Sequence, residues 1–70
     1  MSAINVTQKD TDSVTLEYRG TEMRFLLDVR NKPIPVSNGS FYRVLQGWEQ
    51  RDLIARAAAI LIPQKKRVKQ

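Results

Sequence analysis

Cysteine and histidine are both absent from this 70-residue chain. Without thiols there is no disulfide, no thiolate metal ligand and no Cys nucleophile. Without imidazole there is no side chain that titrates near neutral pH in its ordinary state and can shuttle protons. The sequence also has no Gly-rich phosphate loop and no metal-ligand spacing. Asp10 and Asp12 lack a following liganding loop, so they read as turn formers and not as a cation site. The expectation is a non-enzymatic protein with no cofactor and no metal.

Long apolar runs are missing as well. The longest, from Ala57 to Ile62, is far too short to span a bilayer. Met1-Ser2-Ala3-Ile4-Asn5 has neither the positive cluster nor the apolar stretch of a signal peptide. A cytoplasmic protein without a membrane partner is therefore expected, and the glycosylation-like triplets Asn5-Val6-Thr7 and Asn38-Gly39-Ser40 are discounted.

What remains is ordinary globular material: 41% hydrophobic and 27% charged residues, two Phe, two Tyr and one Trp. That composition folds. A chain of this length buries only about 60% of its unfolded surface, so one modest core is the limit. Residues 1–63 are read as a single domain and residues 64–70 as a flexible basic tail. With no disulfide to supplement so small a core, a homodimer or a complex is expected.

The net charge is +5, but its placement says more than its size. Four of the twelve basic residues are Lys65, Lys66, Arg67 and Lys69, which leaves eight basic against seven acidic groups before Pro63. The body is nearly neutral, and the positive field sits in the tail.

Alternation marks the strands. Ile4 and Val6 alternate with polar neighbours, as do Val14, Leu16 and Tyr18, and then Met23, Phe25, Leu27 and Val29. The segment from Gln8 to Ser13 is the first connection. A type II′ turn at Gly20-Thr21 would place Tyr18 opposite Met23, Glu17 opposite Arg24 and Leu16 opposite Phe25, leaving Leu26 pointing outward. Pro33 and Pro35 mark Arg30 to Pro35 as a connection.

The stretch after Pro35 has two readings. Asn38-Gly39 suits a hairpin turn, while Phe41, Val44, Leu45 and Trp48 fall at helical spacing, with Ser40 as a cap and Gly47 as a bend or break. From Glu49 onward, Leu53, Ile54, Ala57, Ala58 and Leu61 form one apolar helical stripe, which Pro63 is expected to end. The fold class is α+β: a three-stranded antiparallel β-meander followed by a C-terminal helix and a basic tail.

Two groups of residues are candidates for binding. Lys65, Lys66, Arg67 and Lys69 can release counterions from phosphate, or simply solubilise the terminus. Tyr42, Arg43, Trp48 and Arg51 interleave rings with cations, which suits stacking on bases or on a partner's side chains. Core packing competes for Trp48, which is expected to be at least half buried. Arg43, Arg51 and Arg56 form at most a broad basic flank. If Gly47 breaks the segment, a helix-turn-helix-like pair results, but Ala55, Ala57, Ala58 and Ala59 offer no base-reading donors.

Three functional readings follow. The first is a small regulatory or accessory protein that associates with nucleic acid, or with a nucleic-acid-handling complex, through its basic tail. The second is a protein-binding module, an inhibitor or adaptor, that uses the helix and an edge strand against an acidic surface. The third is a subunit of a larger structural assembly.

Overall fold

The computed structural model describes residues 4–68, with side chains through Pro63. Lys65, Lys66, Arg67 and Lys69, as candidate binding side chains, lie outside the described residues. The elements run β1 (Asn5–Lys9), β2 (Ser13–Tyr18), β3 (Thr21–Leu27), β4 (Pro33–Pro35), α1 (Gly39–Arg43) and α2 (Gly47–Val68). The four strands form one antiparallel meander in the order β1-β2-β3-β4. The α+β architecture thus follows the sequence pattern, with one strand more than the pattern shows.

The additional strand is β4, in the stretch that its prolines mark as a connection. Phe25 faces Pro35, Leu26 faces Ile34 and Leu27 faces Pro33. Proline is tolerated here because β4 is an edge: between the two rings only Ile34 has an N–H to give. The Val36 N–H donates to the Arg24 carbonyl at 2.8 Å, carrying the pairing one residue further. The turn into β4 is organised by Asp28, whose Oδ1 accepts from the Arg30 and Lys32 N–H groups at 2.9 and 2.8 Å. Asn31 takes the left-handed position, with φ 62°, a conformation that its short polar side chain tolerates.

The β2–β3 hairpin is shifted from the expected register. Its loop is Arg19-Gly20, with φ of 54° and 79°, which is the double positive φ of a type I′ turn. Tyr18 therefore faces Thr21, Leu16 faces Met23 and Val14 faces Phe25. Glycine occupies the second central position instead of the first, and the pairing moves by two residues. A two-residue shift keeps each side chain on its own face, so the apolar face survives. The expected Glu17–Arg24 pair does not: Glu17 faces Glu22, and Arg24 faces Thr15.

β1 is longer than its alternation shows, taking in Gln8 and Lys9. Pairing passes from Val6↔Leu16 to Gln8↔Thr15, so Thr7 is the extra residue of a bulge. Its hydroxyl donates to the Thr15 carbonyl at 3.3 Å.

One face of the sheet supplies Val14, Leu16, Tyr18, Met23 and Phe25 to the core, and α2 covers it with Leu53, Ala57 and Leu61. These helix residues recur every fourth position, forming the stripe that faces the sheet. Ala57 is fully buried, and its small side chain lets the helix lie close to the strands. On the opposite face Leu26 and Ile34 lie side by side on β3 and β4.

Between α1 and α2 the helical segment does break, at residues 44–46, and Gly47 is the first residue of α2. α1 is a single short helix in which Ser40 is an interior residue and not a cap. Its cap position is Asn38, in the left-handed conformation, and the Asn38 Nδ2 donates to the Glu22 carbonyl instead. Pro63 does not end α2, whose backbone continues to Val68. The missing proline N–H removes one helical hydrogen bond without stopping the helix.

Candidate functional site

The start of α2 is organised by Glu49. Its Oε1 accepts from the Gln46 N–H at 2.8 Å, three residues back, which is the acidic half of a capping box. Its Oε2 accepts from the Tyr18 hydroxyl at 2.6 Å and pairs with the Arg19 guanidinium at 2.8 Å. The Glu49 side chain is 1% exposed, so its carboxylate is paired and hydrogen-bonded as a buried charge must be. The Arg19 guanidinium also lies 5.3 Å from the Tyr18 ring centre, a cation–π distance.

These contacts set the ionisation of both groups. The Tyr18 hydrogen bond, joined by the Gln46 N–H and Arg19, holds the Glu49 carboxyl below its ordinary 4.5 against the opposing effect of burial. The hydrogen bond to Glu49, together with burial, raises the Tyr18 hydroxyl above 10.0.

Gln50, next along the helix, turns toward α1. Its Nε2 donates to the Tyr42 carbonyl at 2.8 Å, which also accepts from the Leu45 N–H at 3.2 Å, and to the Leu45 carbonyl at 3.4 Å. Tyr42 packs edge-on against Phe25, with ring centres 6.1 Å apart and planes at 76°. Burial raises its hydroxyl pKa above the ordinary 10.0. Glu49 thus ties α2 to the hairpin, and Gln50 ties it to α1.

With Glu49 turned inward, its neighbour Trp48 points outward and exposes 53% of its surface. This falls just short of the expectation that at least half of the tryptophan is buried: Leu53, Ala57 and Leu61 fill the core, and position 48 lies off their stripe. Arg43, the last residue of α1, and Arg51 on α2 are both exposed. So is Arg56. Asp52 is the one exposed carboxylate between Gly39 and Pro63, since Glu49 is consumed internally.

A groove of about 550 Å³ runs beside this surface. Tyr42, Ile54 and Ala55 supply apolar lining, and Lys32 and Arg51 supply two cations. Arg51 Nη1 lies 3.8 Å from where a Cβ on Gly47 would be, so the guanidinium folds back over the start of the helix. Arg43 is not among the lining residues. Of the sequence candidates, the structure brings Tyr42 and Arg51 to the groove and leaves Arg43, at the end of α1, and Trp48, in the first turn of α2, exposed outside its lining.

Two contributors were not legible as site residues: Lys32, which the unanticipated β4 turn carries in, and Glu49, whose inward turn directs Trp48 outward. The signal for Glu49 was its position at the start of a helix, three residues after a break in the pattern. Among the described residues no cluster of acidic, His or Cys side chains could hold a metal ion, and no helix is long and apolar enough to cross a membrane. No family model, curated protein or solved structure matches the chain.

Proposed function

We propose that this protein is a small non-enzymatic accessory or regulatory factor that associates with nucleic acid, or with a complex that handles it. Its contacts come from the basic segment Lys65, Lys66, Arg67 and Lys69 together with Arg43, Trp48 and Arg51. The observation that carries this reading is the outward position of Trp48, flanked in sequence by exposed arginines, where a 70-residue protein has few large side chains to spare from its core. An exposed ring with exposed arginines near it in sequence is suited to bases on its face and phosphates at its side. Between Gly39 and Pro63 the exposed cations Arg43, Arg51 and Arg56 outnumber the single exposed carboxylate, so the field there favours an anion.

Deleting residues 64–70 tests the share carried by the basic segment. If all four cations contact duplex phosphates, the slope of log affinity against log salt becomes shallower by roughly 3 to 4, at about 0.9 per contact. Circular dichroism checks that the shortened chain still folds. Absence of binding to both duplex and single strands at low salt rejects the reading.

A second reading, a protein-binding module, is favoured by one specific observation. Ile34 and Val36 are 41% and 48% exposed beside Leu26, on the sheet face opposite α2. A partner would bury that patch, and Ile34→Glu would abolish a stoichiometric protein complex while leaving nucleic-acid binding intact.

A further inference from the structure

We infer that the groove beside α2 is a site for single-stranded nucleic acid, in which one unstacked base enters against Tyr42, Ile54 and Ala55 and a neighbouring base stacks on Trp48. The inference rests on the nucleic-acid reading above and goes further, because it names the strand state and the mode of contact.

The argument begins with what each group can offer. In a duplex the base faces are stacked on one another, so an exposed indole and an apolar groove would gain nothing from it. A single strand presents those faces to solvent, and every base has one. Lys32 and Arg51 then stand where a backbone phosphate follows a base into the groove. Among the described residues neither makes a side-chain ion pair. The Asp28 carboxylate near Lys32 is engaged by two backbone N–H groups. Asp52 follows Arg51 directly and is the carboxylate that opposes phosphate here.

The helix end itself is not the anion site, because Glu49 already occupies it. The groove also lacks a free base-reading amide: Gln50, the only amide side chain in its lining, is committed to the Tyr42 and Leu45 carbonyls. Binding is therefore insensitive to base sequence, and affinity comes from stacking and charge.

Trp48 is the sole tryptophan, so its fluorescence reports directly on the proposed contact. The experiment titrates the full chain with a mixed-sequence 12-nucleotide DNA strand, with the same strand as a duplex, and with an acidic peptide containing Phe. The expected result is quenching by the single strand and little change with the duplex. Trp48→Ala weakens single-strand binding by roughly 5- to 150-fold, the range that follows from about 1 to 3 kcal/mol per stacked base. Trp48→Phe restores most of it. Ala55→Glu, at an exposed position that leaves the fold intact, places a carboxylate in the groove and lowers single-strand affinity about fivefold or more.

Equal binding of duplex and single strand with unchanged fluorescence overturns this inference while leaving the nucleic-acid reading standing. Failure of both nucleic acids to bind overturns both. Quenching by the peptide alone reassigns the groove to a protein partner and overturns both.

Discussion

The Tyr18 hydroxyl donates to the Glu49 carboxylate across 2.6 Å, joining the end of β2 to the first turn of α2 over 31 positions of sequence. The same carboxylate closes the helix end and neutralises Arg19. One acidic side chain thereby fixes the hairpin, the start of the helix and the outward direction of Trp48.

Stability should depend on pH at both ends through this contact. The Glu49 pKa is lowered on folding, so its contribution is present above about 4.5 and is lost as pH falls through the folded value. Asp28, lowered from 3.8 chiefly by the Lys32 N–H, adds to the same acid limb. The Tyr18 pKa is raised, so its contribution is present below about 10 and is lost as pH rises through the folded value. Denaturant midpoints across the pH range should fall at both extremes. Glu49→Gln should lower the plateau and flatten the acid limb, leaving the part due to Asp28.

The two glycines at positions 20 and 47 should respond to alanine with opposite signs. Gly20 sits at φ 79°, where a Cβ costs about 1 to 2 kcal/mol. Gly47 opens α2 with only the Arg51 guanidinium at 3.8 Å, an ordinary contact, so Gly47→Ala should stabilise by about 0.4 to 1 kcal/mol. Urea denaturation of the two variants measures both. Stabilisation by Gly20→Ala would contradict the type I′ assignment.

Ala57 fixes the spacing between helix and sheet. It is fully buried against a core containing Phe25 and Leu16, so Ala57→Leu should cost about 1 to 3 kcal/mol through overpacking. Leu53→Ala should cost about 2 to 5 kcal/mol through the cavity it leaves. A tolerated leucine at position 57 would mean that α2 stands further from the strands than described.

β2, β3 and α2 were legible because their apolar residues recur with the period of the element that holds them. β4 was not, since Pro33 and Pro35 carry the local signature of a connection and only the presence of β3 beside them makes an edge strand. The hairpin register is ambiguous in the sequence because Gly20 fits either central position of a tight turn, and both registers put Leu16 and Val14 on the same face. Pro63 carries the local signature of a stop, although its ring removes a single helical bond. In the candidate site, Arg43, Trp48 and Arg51 could be picked out by residue type. The groove could not, because Lys32 reaches it from a turn whose geometry depends on Asp28 and Asn31, far from α2 in sequence.

The central claim, that the surface around the start of α2 binds nucleic acid through charge and stacking, is tested most directly by fluorescence anisotropy of a labelled single-stranded oligonucleotide at several salt concentrations. The comparison is between the intact chain and the Arg43→Ala/Arg51→Ala double variant, with the basic C-terminal segment kept. Binding that weakens with salt is predicted, with a log–log slope shallower by about 1.4 in the double variant, at about 0.7 per lost phosphate contact. An unchanged slope and affinity in the double variant, or no binding by the intact chain at low salt, would contradict it.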